Sequence, residues 1–190
     1  MPSHHDTRQP HDIAGELLVL RARSGDADAF ARLVRVWTPR LSRHAGRWLA
    51  DPSAATDAVQ EAWIAIARSL GRLDDPARFP AWAFRLTQHK CVDLIRRDAR
   101  HASAVRRKAE GEQRAGSSDG AAGESVDRLR AALRSFDPER RALLALHYVD
   151  GLSVAQLAEV FAVPRGTVKS RLYHARNELK AILEAQGDTP

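Results

Sequence analysis

Residues 152–183 carry a helical pattern of apolar side chains that breaks only once, and this feature limits the possible folds most. Ser153 can cap a short helix, the pattern breaks at the residues FAV, and Pro164 can open a longer helix. In the longer helix an apolar stripe recurs at i, i+4, i+7 and i+11, and it consists of Val168, Leu172, Ala175 and Leu179. Two helices joined by three or four residues form a helix-turn-helix.

The opposite side of the longer helix is small, polar and basic. Its members are Gly166, Ser170, Tyr173 and Asn177, flanked by Arg165, Thr167, Lys169 and His174. Cations on such a face can contact phosphates, while Ser, Asn and Arg side chains can reach base edges in a major groove. A solvated amphipathic helix is the alternative, but the preceding helix and short turn favour DNA. Arg171 and Arg176 lie nearer the apolar stripe, which favours phosphate contact or snorkelling for them.

The remaining sequence shows no alternating strand pattern, so we predict an all-α fold. Residues 102–124 lack apolar periodicity and are dense in Gly, Ser, Ala and charge, which is typical of a flexible linker. We therefore predict two small helical domains, at 13–101 and 125–190, after a disordered tail at 1–12. His4 and His5 in this tail lack a third ligand, so we predict no metal site there.

The first domain is predicted to contain four helices, at about 14–24, 27–49, 52–70 and 81–100. Gly25 ends the first helix, and Pro39 is expected to bend or split the second. Asp51 and Pro52 supply a cap and a first-turn proline for the third helix.

The third helix has an unusual acidic side opposite its core residues. This side consists of Asp57, Gln60, Glu61, Ile64 and Arg68. Asp57 and Glu61 are like charges at i and i+4, which slightly destabilises an isolated helix. An acidic face with an apolar centre suits a protein partner. A solvated face with one exposed Ile explains the pattern equally well.

The fourth helix also has two sides. The side predicted to be buried contains Phe84, Cys91, Leu94 and Ile95. The other side contains Trp82, Leu86, His89, Asp93, Arg96 and Arg100, with Lys90 and Arg97 at its margin. A nucleic-acid strand could stack on the aromatic ring while its phosphates lie along the arginines. The alternative is a core Trp82 with a basic helix end that the helix dipole explains.

Composition excludes several classes of protein. The 190 residues carry a formal charge of +6, which favours a polyanionic partner. No apolar stretch is long enough for membrane insertion, and the single cysteine excludes an internal disulfide framework and a Cys-rich zinc site. No Gly-rich phosphate loop, HExxH motif or nucleophile–base pair is visible. We predict a cytoplasmic protein that is not an enzyme and needs no cofactor or metal.

Three stretches carry a resemblance to a known family: DAVQEAW at 57–63, FPAWAFRLTQHKCVDLIRR at 79–97 and VPRGTVKSRLYHAR at 163–176. They resemble, in this order, signatures of the short extracytoplasmic-function sigma factors of bacterial RNA polymerase. The resemblance covers residues 14–100 and 126–184. A helix-turn-helix alone occurs in many regulators, whereas the three stretches in this order across a linker are specific.

The resemblance implies roles for three sets of residues. Those implied to contact core RNA polymerase are Asp57, Gln60, Glu61 and Ile64. Those implied to bind the melted minus-ten DNA are Phe79, Trp82, Arg85, His89, Lys90, Asp93, Arg96 and Arg97, and the loop 71–79 is implied to hold a flipped base. Those implied to read the minus-thirty-five element are Arg165, Thr167, Lys169, Ser170, Arg171, Tyr173 and His174.

The sequence departs from the family pattern at two places. Gln88 and His89 stand where the family commonly has Arg-Asn, which puts the minus-ten preference in doubt. Ala162 stands where a glycine usually makes the turn, and alanine would cost about 1 kcal/mol if that turn needs a positive φ.

The resemblance implies a promoter-specificity subunit whose partners are core RNA polymerase, promoter DNA and an inhibitory anti-sigma factor. A stand-alone helix-turn-helix regulator is the alternative, although such proteins usually dimerise and no clear dimerisation helix follows residue 180. An RNA- or membrane-binding basic protein would explain the charge but not the order of the motifs.

Overall fold

The computed structural model describes residues 10–106 and 124–187, and all regular secondary structure in these ranges is helical. The α-helices are α1 Pro10–Arg23, α2 Ala27–Ala45, α3 Pro52–Ser69, α4 Phe79–Arg106, α5 Glu124–Arg134, α6 Pro138–Tyr148, α7 Val154–Phe161 and α8 Arg165–Gly187. Short 3-10 helices at Leu70–Arg72 and Pro76–Arg78 join α3 to α4. The predicted all-α fold with two helical domains is confirmed, with α1–α4 in the first domain and α5–α8 in the second.

Side-chain caps explain where several helices begin. The Asp51 carboxylate accepts hydrogen bonds from the backbone N–H groups of Ser53 and Ala54, directly before Pro52 in the first turn of α3. In α7 the Ser153 hydroxyl accepts from the backbone of Gln156, and the Gln156 side chain accepts from the Ser153 backbone. Both predicted caps are present, and the second is a complete capping box.

Some helix bounds differ from the prediction. Helix α1 begins at Pro10, inside the predicted tail, because proline suits the first turn of a helix. Helix α2 continues through Pro39 and is not split. Helix α4 extends to Arg106, into the predicted linker, where alanines favour helix. The rest of the linker and of the tail, with His4 and His5, lies outside the described residues.

Helices α2, α3 and α4 enclose the core of the first domain. The Trp37 ring packs edge-on against Phe79 and Phe84, with ring centroids 5.2 and 5.9 Å apart. Cys91 is buried as predicted, and burial raises the pKa of its thiol to about 12. Ile95, which was predicted to be buried, is 40% exposed. It lies in the second half of α4, where residues 95–100 are all exposed.

The second domain packs α5, α6 and α7 against α8. The predicted stripe of α8 is confirmed, since Val168, Leu172 and Ala175 are buried and Leu179 packs partly buried against the core. Ala162 ends α7 with φ 52° and ψ 43°, in the left-handed region. The turn therefore has the positive φ that makes alanine less favourable than glycine.

The two domains are in contact, with α7 of the second domain packed against α4 of the first. Two ion pairs connect them: Arg47 Nη1 lies 3.3 Å from Asp150 Oδ2, and Arg78 Nη2 lies 3.0 Å from Glu159 Oε2. The contact places part of the second domain beside the candidate nucleic-acid residues of α4.

Candidate nucleic-acid interface

The outer side of α8 is open to solvent, as its sequence pattern predicts. We call its seven predicted residues the α8 face: Arg165, Thr167, Lys169, Ser170, Arg171, Tyr173 and His174. All are exposed except Thr167, which is half-buried. The buried stripe on the other side fixes this orientation, because it presses α8 against the rest of the second domain. An exposed helix with cations at its flanks has the shape and charge that a major groove accepts.

The cationic side chains of the α8 face differ in whether they form an ion pair within the protein. Arg171 forms an ion pair with Glu139 in the first turn of α6. Arg165 and Lys169 have no ion pair among the described residues, so their charges are available to a polyanion. The Arg171 pair is exposed and therefore weak enough to exchange for a phosphate.

A second basic surface runs along α4. We call its exposed and half-buried members the α4 face: Trp82, Arg85, His89, Lys90, Asp93, Arg96 and Arg97. Trp82 is half-buried, and its ring centroid lies 6.0 Å from that of Phe79. The ring is therefore neither fully exposed nor fully part of the core. The arginines follow on later turns and are exposed. One end of the surface is aromatic and the other is cationic, which suits a single strand.

Phe79, the remaining residue predicted to bind the minus-ten DNA, is buried in this structure. Its side chain is only 1% exposed and packs on Trp37, and a DNA contact at this residue stays a prediction. Phe79 begins α4, and its apolar ring fills the core beneath Trp82.

A cavity of about 340 Å³ adjoins the aromatic end of the α4 face. Its lining residues are Ser69, Arg72, Leu73, Asp74, Arg78, Ala81, Trp82, Arg85 and Glu159. This volume is at the low end of the roughly 300–1,000 Å³ typical of small-ligand pockets. The loop predicted to hold a flipped base, residues 71–79, thus forms one wall of a space beside Trp82.

Sequence reasoning missed two residues of this region. The Arg23 guanidinium donates hydrogen bonds to the backbone oxygens of Leu73 and Asp74, at 2.8 and 3.1 Å, and so ties the loop to α1. Glu159 reaches the cavity from α7. Both are far from the loop in sequence, and no local pattern marks such long-range contacts.

The acidic side of α3 is exposed beside the α4 face. Asp57, Gln60 and Glu61 are exposed, and Ile64 is 45% exposed; we call these four the α3 face. Lys90 Nζ lies 3.4 Å from Glu61 Oε2, which links the margin of the α4 face to the α3 face. The geometry gives an acidic surface with an apolar side chain at its edge, next to the basic surface of α4.

Beneath the α4 face lies an uncharged histidine. His44 is buried, with its ring centroid 5.2 Å from that of Phe84, and neither ring nitrogen has a hydrogen-bond partner among the described residues. Burial, with a smaller contribution from the nearby Arg47 charge, lowers the pKa of His44 to about 3. The ring is therefore neutral near pH 7.

Residues 10–106 and 124–187 contain neither a candidate metal cluster nor a candidate membrane span. No group of three or more His, Cys, Asp or Glu side chains there could hold a metal ion. None of the helices in the same ranges is long and apolar enough to cross a membrane.

Comparison with known families supports the resemblance found in the sequence. The family model for Sigma-70 region 2 matches residues 33–101, and that for Sigma-70, region 4 matches residues 127–179. The ECF RNA polymerase sigma factor SigL of Mycobacterium tuberculosis is 32% identical over 173 residues, which cover 87% of this chain and 97% of SigL. The ECF RNA polymerase sigma factor SigW of Bacillus subtilis is 25% identical over 179 residues, 87% of this chain and 94% of SigW.

Solved structures agree with the fold. CnrH in complex with the cytosolic domain of CnrY is similar with a TM-score of 0.64 and 27% identity, covering 93% of this chain and 99% of CnrH. The sigma factor RpoE of Bartonella quintana, in complex with the anti-sigma factor NepR, is similar with a TM-score of 0.66 and 19% identity. That match covers 82% of this chain and 96% of RpoE, and it supports the fold alone.

Proposed function

The chain belongs to the extracytoplasmic-function sigma factors of bacterial RNA polymerase, and from this premise we propose how its own residues divide the work. A protein of this kind binds core RNA polymerase, directs it to specific promoters and helps to open the minus-ten DNA. The observation that carries this function is that both sigma regions match, in order, and each contains an exposed basic helix.

The α4 face is proposed to capture the melted minus-ten strand. Opening the duplex costs base stacking, and this cost can be recovered when bases stack on Trp82 and enter the adjacent cavity. The exposed Arg96 and Arg97 on later turns can then follow the phosphates of the same strand. This is binding work without covalent chemistry, in keeping with a family of transcription initiation factors rather than enzymes.

The α8 face is proposed to anchor the polymerase upstream, at the minus-thirty-five element. Arg165 and Lys169 are exposed and available for phosphates, while the exposed Ser170 in the middle of the face could reach base edges. Because both domains are in one chain, binding by one raises the effective concentration of the other at the promoter.

The α3 face is proposed to dock on core RNA polymerase. Its acidic side chains cannot favour DNA, and the exposed Ile64 supplies apolar area at the edge of the contact. With core polymerase bound there, the adjacent α4 face would lie at the site of strand separation.

An anti-sigma factor is proposed as the external inhibitor. The Bartonella RpoE was solved in complex with the anti-sigma factor NepR, and CnrH was solved in complex with the cytosolic domain of CnrY. The single thiol, Cys91, is buried and its pKa is raised, so it is poorly suited to sensing oxidants by itself.

Since the partners proposed here are core polymerase and DNA, we propose that the protein acts in the cytoplasm.

A stand-alone helix-turn-helix regulator is not favoured, because it leaves the region 2 match at 33–101 unexplained. The deciding experiment is run-off transcription with purified core polymerase on a library of promoter fragments. We expect promoter-dependent product only when the chain is added. Binding of the chain to duplex DNA without any product would support the stand-alone regulator.

The docking surface is tested with the double variant Asp57→Ala and Glu61→Ala. We expect core affinity to fall about ten-fold while the fold is retained, because removing two like charges at i and i+4 does not destabilise α3. Asp28→Ala, which removes an exposed carboxylate from α2 and not from the α3 face, is the control. Unchanged core affinity of the double variant would contradict the docking assignment.

A further inference from the structure

Arg23, the last residue of α1, holds the loop that forms one wall of the cavity beside Trp82. Its Nη1 donates hydrogen bonds to the backbone oxygen of Leu73 at 2.8 Å and to that of Asp74 at 3.1 Å. Leu73 and Asp74 both line the cavity, whereas Arg23 is not among the lining residues. Arg23 therefore acts on this wall from outside the cavity.

The stretch of loop that Arg23 contacts lies between two 3-10 helices of three residues each. The Leu73 N–H donates to the Leu70 oxygen at 3.1 Å, and the Arg78 N–H donates to the Asp75 oxygen at 3.0 Å. Hydrogen-bond geometry in such short helices is poorer than in an α-helix. The two carbonyls between these weak ends are held by a charged side chain, that of Arg23.

Helix α1 gives the Arg23 side chain a firm base. Val19 and Ala22 are buried, and α1 packs against α2 and against the second of the 3-10 helices. At the end of α1, Arg21 Nη2 lies 2.6 Å from Asp26 Oδ2, and the Asp26 side chain also caps α2. Arg23 therefore extends from an anchored helix end towards the loop.

The wall that Arg23 holds carries side chains that can read a base. Arg72, Asp74 and Arg78 all line the cavity. A guanidinium only donates hydrogen bonds and a carboxylate only accepts them, while an unpaired base is read by the donors and acceptors along its edge. Because Arg23 fixes the backbone at residues 73 and 74, it fixes where these groups stand.

We propose that Arg23 is a positioning residue that sets how strongly the cavity discriminates among bases of the minus-ten strand. The proposal rests on the capture of a base beside Trp82, which is proposed above for the α4 face. A wall that is fixed before binding lets the matching base make its contacts without the cost of ordering the loop. A mobile wall adapts to each base, and adaptable surfaces bind different partners with similar affinity.

The test measures the rate of open-complex formation by the polymerase holoenzyme on a promoter identified by run-off transcription. Each base of the minus-ten element is replaced in turn, and discrimination at a position is the ratio of the rates for the best and the worst base. Arg23→Ala should lower this ratio roughly three- to ten-fold at one position, as expected if the loop keeps its arrangement in about a third to a tenth of the molecules. Discrimination at the minus-thirty-five element should not change.

Three further variants show which property of Arg23 matters. Arg23→Met keeps a long stem but has no donor, so it should show the same loss as Arg23→Ala and serves equally if the alanine variant fails to fold. Arg23→Lys keeps a charged donor and should restore part of the ratio. Arg21→Ala removes the same charge from the same helix without touching the loop, and it should behave as the wild type.

A purely structural role for Arg23 would give a different result. The variants would then unfold at lower temperature, while the ratio of rates among the bases would stay that of the wild type. A wild-type ratio in folded Arg23→Met overturns the inference. An equal loss in Arg21→Ala also overturns it, because the effect would then come from charge alone.

The same measurements separate this inference from the function on which it rests. If the wild type discriminates among bases and loses this on Trp82→Ala, while Arg23→Met keeps it, only the role of Arg23 is refuted. If the wild type discriminates at no minus-ten position, the capture of a base in the cavity fails, and the inference fails with it.

Discussion

The α4 face and the α8 face are both basic helix surfaces, but they differ in what surrounds them. The α8 face is almost entirely exposed, and its opposite side is held by a regular apolar stripe. The α4 face combines a half-buried Trp82, a cavity and a carboxylate from another domain. Double-stranded DNA can be read by a rigid exposed helix, whereas an unpaired base needs a ring and a space to enter. The difference is consistent with the proposal that the α8 face anchors the polymerase and the α4 face captures the strand.

The largest expected effect concerns Trp82. Stacking of one base on an aromatic ring contributes about 1–3 kcal/mol, so Trp82→Ala should reduce open-complex formation roughly ten- to a hundred-fold on duplex promoters. The loss should be much smaller on templates that are already melted around the minus-ten element. Transcription from both templates, with Tyr148→Ala at the exposed end of α6 as the control, checks this.

The Trp82 result also distinguishes capture from core packing. Truncation of a fully buried Trp to Ala would cost about 3–5 kcal/mol of folding stability, whereas Trp82 is only half-buried. A collapsed melting temperature with equal loss on both templates would show that the ring serves the core alone.

The next largest effect is the pH dependence of the stability of the first domain. The pKa of His44 falls from 6.5 to about 3 on folding, so the unfolded chain binds the proton more tightly and stability decreases as pH falls. Each pH unit between these values should cost about 1.4 kcal/mol, or roughly 2 kcal/mol between pH 6.5 and 5. Urea unfolding at pH 7 and pH 5 measures this loss of stability.

The variant His44→Leu is the control for that measurement, because it keeps an apolar side chain of similar size in the core. Its stability should change less between pH 7 and pH 5 than that of the wild type. The same pH slope in both proteins would refute the assignment to His44.

A smaller effect is expected at the turn between α7 and α8. Ala162 has a positive φ of 52°, so Ala162→Gly should stabilise the second domain by up to about 1 kcal/mol. The glycine also gains freedom in the unfolded chain, which reduces the benefit. Thermal unfolding of the wild type and of Ala162→Gly would show the gain in stability. Destabilisation by the glycine would contradict the strain argument.

The smallest effect concerns the phosphate contacts of the α8 face. Lys169→Ala should lower the slope of log affinity against log salt by about one on duplex promoter DNA, uniformly across upstream sequences. Ser170→Ala should instead alter preference at one upstream base pair. If both variants behave alike across promoter variants, the division of this face into anchoring and reading residues is incorrect.

These regions also differ in how far the sequence alone predicted them. The stripe from Val168 to Ala175 and the caps at Asp51 and Ser153 are local, because periodicity and backbone hydrogen bonds depend on near neighbours. At Ala162 the resemblance marked a position where a glycine usually makes the turn and left the sign of φ open, and the structure shows that φ is positive.

The α4 face was only partly predicted, because its burial depends on distant residues. Phe79 lies in the core against Trp37, and Ile95 is exposed although its spacing suggested burial. The pairing of Glu159 with Arg78 brings residues from two domains together. Helical periodicity identifies the sides of a helix, but it does not show which side another domain covers.

The most direct test of the division between anchoring and capture is permanganate footprinting of promoter thymines with saturating polymerase holoenzyme. With Lys169→Ala the account predicts weaker promoter binding but normal thymine reactivity in complexes that form. With Trp82→Ala it predicts promoter-bound complexes whose minus-ten thymines stay unreactive. If both variants lose binding and reactivity in parallel, or if Trp82→Ala opens the promoter as fully as the wild type, the account is contradicted.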